Sequence, residues 1–301
     1  MTNPEPEELT LEVPAGSLGA LAWGDPDAPL VIALHGWLDN AASFNRLGPM
    51  LARDYRVVAV DLPGHGHSFH RPPGATYELM DYVRDLAFLL DRAAPEGAVL
   101  LGHSLGGIVA SLLSVAVPDR SRALILVDSL GPLTGDADSF PEQLKHATDR
   151  MRRGSRGQPP YYTSVDEAIE ARMKGRIPLS RAAADCIVPR SLRRAGEGWQ
   201  WATDARLRYP SMHRLDEYEV RAYLGAIAVP LLLIRASRGM AAFKPEWLEQ
   251  RLPLLSESDV MDLEGSHHCH LDADVDGLAE GCLGWLAENL ASEGVSRSGS
   301  G

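Results

Sequence analysis

Gly102-His103-Ser104-Leu105-Gly106 is a G-x-S-x-G pentapeptide whose surroundings give the serine a chemical meaning. A continuous apolar run, Ala98–Leu101, leads into it, and an apolar helical stretch, Leu105–Ala116, leads out. So sharp a strand–turn–helix leaves no room for bulk two residues either side of the serine, and glycines at 102 and 106 meet that demand. The pattern predicts Ser104 in strained backbone geometry, its hydroxyl raised at a helix N-terminus and able to attack an acyl carbonyl. A chance pentapeptide in a glycine-containing loop would lack these flanks. No G-x-G-x-x-G follows the first parallel strand, so the sequence does not predict dinucleotide binding.

A serine hydroxyl becomes a useful nucleophile only when an imidazole takes its proton. The segment Gly265-Ser266-His267-His268-Cys269-His270-Leu271-Asp272 offers three, after the last strand and before the last helix. His267 is favoured, since it follows the turn at Gly265-Ser266 and precedes Asp272 by five residues. His268 remains the alternative, and His270 reads as a packing or supporting residue. One short loop does not easily supply the three or four converging ligands that a metal needs, so no metal is expected. The third member of such a triad is a carboxylate, usually placed after the strand that here is Pro230–Ile234. Arg235 to Lys244 contains none, and Gly239 stands where an aspartate would be. Asp128, ending the neighbouring strand Ala123–Val127, is the substitute from which a carboxylate could reach the imidazole. The competing reading is that Asp128 merely closes its strand.

The oxyanion formed by such an attack needs two backbone N–H donors, one from the residue after the nucleophile and one from the loop after the first parallel strand. Those are Leu105 and Trp37, the latter within His35-Gly36-Trp37. Gly36 lets the backbone approach the substrate, and His35 and His103 are read as supporting residues. Asp61-Leu62-Pro63-Gly64-His65-Gly66-His67-Ser68, though rich in histidine, is crowded with turn formers and reads as a structural turn.

The elements that must carry these residues follow from apolar patterning. Leu9–Val13 and Ser17–Trp23 alternate and predict an antiparallel hairpin around Pro14-Ala15-Gly16. Leu30–Leu34, Arg56–Val60, Ala98–Leu101 and Ala123–Val127 read as strands buried on both faces. Helices are predicted for Ser43–Arg53, Asp81–Arg92 and Leu105–Ala116. This alternation defines a mostly parallel, doubly wound α/β sheet. It lapses between Leu133 and Ala226, where only polar helix-like segments are visible, and resumes with Pro230–Ile234, a helix around Pro245–Arg251, a strand at Val260–Leu263 and a helix at Asp274–Leu290. The expected organisation is a core of residues 1–132 and 227–291, a helical cap inserted at 133–226, and a Gly/Ser-rich disordered tail at 292–301.

Bulk properties narrow the function. The net charge of −12 argues against nucleic acid, which calls for a basic footprint. No apolar run reaches the ~18 residues of a membrane span, and the polar, acidic Met1–Glu8 does not resemble a secretory signal. Cys186, Cys269 and Cys282 are too few and scattered for a disulfide framework, and with the missing signal they suggest a reducing cytoplasm. Positive charge concentrates in residues 133–228, which implies either ion pairing within the insertion or arginines facing an anionic substrate. Trp199 and Trp201 read as core of the insertion rather than as a substrate platform.

Over nearly its whole length the chain resembles the α/β-hydrolase superfamily and, more closely, the serine hydrolase-like proteins. The matching residues are His35 to Phe44, Asp61 to Gly66, Gly102 to Gly107, Asp128-Ser129-Leu130-Gly131-Pro132 and His267 to Leu271. The resemblance implies the α/β-hydrolase fold, a cap inserted after Asp128, a carboxylate at position 128, and an intracellular esterase-like hydrolase. Serine as nucleophile excludes dehalogenase and epoxide hydrolase chemistry, which use an aspartate there. The expected activity is hydrolysis of small-molecule carboxylic esters through an acyl-enzyme on Ser104, without a cofactor. Thioester, lactone and C–C bond hydrolysis would use the same parts, and a non-catalytic ligand-binding role is the contrasting class.

Overall fold

A computed structural model describes residues 5–154, 159–175, 177–240, 245–272 and 274–290 of the chain. The tail expected at 292–301 lies outside them. An eight-stranded sheet runs in the order β1-β2-β4-β3-β5-β6-β10-β11. β1 (Glu7–Val13) and β2 (Gly16–Trp23) form the predicted hairpin, and β2 pairs antiparallel with β4 (Arg56–Val60). From β4 onward every pairing is parallel, through β3 (Leu30–Leu34), β5 (Ala98–His103), β6 (Ser121–Val127), β10 (Leu231–Arg238) and β11 (Ser258–Ser266).

The unbroken apolar runs reflect a sheet covered on both faces. Ile32, Leu34, Leu100, Leu124 and Leu126 face one core with α2 (Leu79–Ala93) and α3 (Leu105–Ala116), whose Leu86, Leu89, Leu90, Val109 and Leu113 complete it. Val31, Ala33, Val99, Leu101, Ile125 and Val127, one residue out of phase, face the other, with the last helix opposite. A strand whose odd and even positions are both buried cannot show the alternation of a half-exposed strand.

Two expectations need correction. The helix predicted over Ser43–Arg53 is instead a 3₁₀ turn at Ala41–Phe44 and a single α turn, α1 (Gly48–Leu51). Pro49 lacks an N–H, so the chain restarts there rather than running through. Phe44, Leu47 and Leu51 are buried nonetheless. Between the sheet neighbours β6 and β10, the chain forms α4 (Phe140–Arg153), α5 (Val165–Met173), α6 (Arg181–Ile187) and α7 (Glu217–Leu224), as the polar helical segments predict. It also forms a small antiparallel sheet, β7-β9-β8, from Tyr161–Tyr162, Gly198–Trp201 and Leu192–Ala195. These strands are two to four residues long and partly exposed, too short to leave a periodic signal. Trp199 and Trp201 sit on β9 and pack against a separate apolar cluster that includes Ile169, Leu179, Ile187 and Leu192.

The insertion is tied to the core by polar contacts. Arg190, 8% exposed, pairs with the fully buried Asp61 at 2.9 Å, and Asn40 donates to Ile187 O and Ser191 Oγ at 2.8 Å each. Asp61 also accepts from the backbone N–H groups of Ala41 and His67. The histidine-rich turn at 61–68 is therefore structural, as its composition predicts. The chain closes with α8 (Pro245–Arg251), α9 (Cys269–Asp272) and α10 (Val275–Leu290). Among the described residues no helix is long and apolar enough to cross a membrane.

Candidate active site

Ser104 stands between β5 and α3 with φ 50 and ψ −115. Left-handed backbone at a non-glycine residue costs about 1–3 kcal/mol and persists only where the surroundings enforce it. Here the enforcement is packing. A side chain at Gly106 would collide with the backbone of Leu34, and one at Gly102 with the backbone of Gly106 and Gly107. The turn is thus clamped against the end of β3, which brings Leu105 beside the 35–37 loop. Ser104, Leu105 and Trp37 all line one cavity of about 670 Å³.

Asp128 ends β6 and is itself left-handed, with φ 46. It is nearly buried, at 3% exposure. Its Oδ2 accepts from His267 Nδ1 at 2.6 Å and from Met240 N at 2.7 Å, and both residues line the same cavity as Ser104. The end of β10, where a carboxylate is missing, explains this placement. A Cβ built on Gly239 falls directly on the Asp128 carboxylate. The acid emerging from β6 thus fills the space that a side chain at 239 would occupy, and glycine there is a steric requirement. The aspartate absent from β10 and the aspartate present on β6 are two ways to fill one place.

The remaining histidines divide as their surroundings dictate. His268 reaches Asp39 at 3.0 Å, and His270 pairs with Ser43 Oγ at 2.8 Å. Of the three in the last loop, His267 alone joins Asp128 at the cavity. His103 donates from Nε2 to His267 O at 2.9 Å and packs its ring against His267, His268 and His270. Burial, reinforced by those three rings, pushes the His103 pKa well below its ordinary value and keeps it neutral. His35 accepts from Leu62 N at Nε2 and donates from Nδ1 to Gly36 O, which fixes the loop carrying Trp37. His35 and His103 thus hold backbone in place, while Gly36 leaves no room for a side chain against His103 Nδ1 and the Asp39 carboxylate.

Asp39 escaped the sequence reading. Burial would raise its pKa, but His268 and the Arg172 guanidinium, 3.1 Å from Oδ1, hold it well below the usual carboxylate range. Arg172 lies 133 residues from Asp39 in sequence, so no local pattern could announce the pair. Asp39, His103 and His268 present atoms of metal-ligand type within 4.8 Å of one another. The Asp39 charge is already matched by Arg172, against which a cation would have to compete. Cys269 and Cys282 are buried, and their thiols are pushed up to about 12, which suits apolar packing rather than reactivity.

This geometry defines a class that comparison with known proteins makes specific. The family model described as alpha/beta hydrolase fold matches residues 29–167. A probable serine hydrolase of Drosophila melanogaster is 30% identical, with 88% of this chain and 83% of the relative covered. An esterase of Mycobacterium tuberculosis is 32% identical over 74% of this chain and 70% of its own. The crystal structure of a hypothetical protein from Pseudomonas aeruginosa superposes with a TM-score of 0.87 at 40% identity, covering 93% of this chain and 99% of that one. The chain belongs to the α/β-hydrolase family, and within it resembles the serine hydrolase-like proteins.

Proposed function

We propose that the protein is a serine hydrolase that cleaves small-molecule carboxylic esters through an acyl-enzyme on Ser104. The observation that carries this reading is a strained serine sharing one cavity with a His267–Asp128 pair 2.6 Å apart. In this mechanism His267 Nδ1–H donates to Asp128, leaving Nε2 as the base. Nε2 takes the Ser104 proton as Oγ attacks the carbonyl carbon. The oxyanion is held by the N–H groups of Trp37 and Leu105, each typically worth about 2.7–4 kcal/mol in the transition state. As the tetrahedral species collapses, the imidazolium gives its proton to the leaving alkoxide and the alcohol departs. Water then attacks the acyl-enzyme, its proton passes to His267, and the carboxylic acid leaves as Ser104 recovers the proton.

His103 and His35 act as positioning residues, the first through the His267 carbonyl and the second through the Gly36 carbonyl. Residues 133–226 serve as a cap, since Leu133, Ile177, Tyr209 and Ser211 line the same cavity as Ser104. The test is hydrolysis of short and medium p-nitrophenyl esters by the wild type, Ser104→Ala and Asp128→Asn. Activity lost in both variants is expected. Failure of the wild type on every chain length would overturn the ester reading.

A further inference from the structure

Most basic side chains of the insertion are consumed by partners. Arg181 pairs with Asp166 and Asp185, Arg190 with Asp61 and Glu8, Arg206 with Asp204, and Arg172 with Asp39. The excess positive charge of the segment is therefore largely structural ion pairing. Among the described arginines of the insertion, Arg152, Arg208 and Arg214 depart from this pattern. Of these, Arg208 and Arg214 line the cavity that contains Ser104; both are exposed and have no hydrogen bond or ion pair among the described residues. A third cavity arginine, Arg235, is neutralised by a two-pronged pair with Asp262.

The acidic side of the balance is equally uneven. Asp128 is the only carboxylate among the described residues that line the cavity, and it is committed to His267 and Met240 N. In a chain of net charge −12, the described residues of this cavity present two unpaired guanidinium groups and no free carboxylate. Arg208 follows Leu207, whose carbonyl accepts from the Trp37 indole at 3.0 Å, so it adjoins the loop proposed to hold the oxyanion. Partial desolvation and the nearby Arg172 depress its pKa, a cost that an anion beside it would relieve. Much of the remaining lining is apolar, with Ile108, Leu130, Leu133 and Leu248 among it.

We propose that Arg208 and Arg214 select esters that carry an anionic group, a carboxylate separated from the scissile carbonyl by an apolar spacer. The inference rests on the ester-hydrolase reading of Ser104 and adds the substrate class to it. A guanidinium–carboxylate contact at a partly desolvated site is the interaction that discriminates, because it is charge-assisted and bidentate.

The test compares matched pairs by pH-stat. Monomethyl adipate against methyl hexanoate places the anion on the acyl side; the butyryl ester of 3-hydroxypropanoate against propyl butyrate places it on the alcohol side. In one of the pairs the anionic ester is expected to exceed its neutral partner in kcat/KM by about tenfold. That ratio should fall toward one in Arg208→Gln/Arg214→Gln, fall only in part in Arg208→Lys/Arg214→Lys, which keeps the charge but not the bidentate fork, and shrink in 0.5 M NaCl through screening of about 10 Å reach at 0.1 M. Equal kcat/KM within both pairs, or a preference that survives the glutamine double variant, would overturn the inference. Ser104-dependent turnover of neutral esters without any anionic preference removes this proposal and leaves the hydrolase reading standing. Should no ester turn over, titration calorimetry of adipate against 1,6-hexanediol decides it separately: adipate binding lost in the glutamine variant upholds the charge selection, and equal or absent binding refutes it.

Discussion

At the carboxyl ends of the parallel strands, the chemistry-bearing residues are held by backbone. Ser104 and Asp128 both sit in left-handed geometry, and His267 is fixed through its own carbonyl by His103. The segment between β6 and β10 behaves differently. It has a small apolar cluster of its own and sends Leu207, Val220 and Leu224 as buried apolar side chains into the main core. It meets the sheet ends through ion pairs and side-chain hydrogen bonds such as Arg190–Asp61 and Arg172–Asp39. The difference teaches that the two regions tolerate change in different ways. The sheet ends can lose a function through one atom, because strain and steric exclusion specify each position. On the proposed reading, the insertion can be rewritten in its cavity-lining residues so long as its ties to the sheet stay intact.

The largest effect expected from breaking this arrangement is at the nucleophile. Ser104→Ala should lower kcat on p-nitrophenyl esters by about 10⁶, with the far-ultraviolet circular dichroism unchanged. Asp128→Asn should cost about 10⁴, because the amide no longer fixes the imidazole tautomer. A sharper version exploits the shared space at 239. Asp128→Gly/Gly239→Asp moves the carboxylate to the end of β10, gives position 128 a residue suited to φ 46, and should recover a measurable part of the activity lost in Asp128→Gly. Activity no better than that of Asp128→Gly would mean that the two strand ends are not interchangeable.

Next in size is the tie between the regions. Arg190→Met leaves Asp61 buried without its cation, and a broken buried pair costs about 3–5 kcal/mol. Urea unfolding should report that loss, whereas Tyr218→Ala, at a side chain 82% exposed on α7, should stay within about 0.5 kcal/mol.

The smallest effect is a pH dependence of stability. Burial lowers the pKa of His65, with help from His35, and of His270, with help from His268, each to about 3 from 6.5. The folded chain therefore refuses protons that the unfolded chain accepts. Stability is whole above pH 6.5 and declines as the pH falls toward 3, by at most about 1.4 kcal/mol per pH unit for each histidine. The urea midpoint should drop between pH 7 and pH 5.5, and His270→Gln should flatten that slope.

How legible each part was depends on the range of the interaction behind it. Leu30–Leu34, Ala98–Leu101 and Ala123–Val127 declare themselves because burial on both faces makes every position apolar. Ser104 is legible because its glycines serve a turn five residues long. Asp128 was reached by elimination and by what the family resemblance implies, while its steric reason, the space at Gly239, exists only in three dimensions. The Asp39–Arg172 pair and the β7-β9-β8 sheet were invisible because their partners lie far apart or their strands are too short to repeat. The charge excess of residues 133–228 could be read from the sequence, but which arginines lack partners and line the cavity could not.

The central claim is that Ser104 is a nucleophile activated by His267 and Asp128. A fluorophosphonate probe followed by intact-mass and peptide mass spectrometry tests it without a known substrate. The account predicts one adduct per chain, on the peptide containing Ser104, formed far more slowly in Asp128→Asn and absent in Ser104→Ala. An adduct on another residue, or labelling of Ser104 at the same rate without the carboxylate at 128, would contradict it.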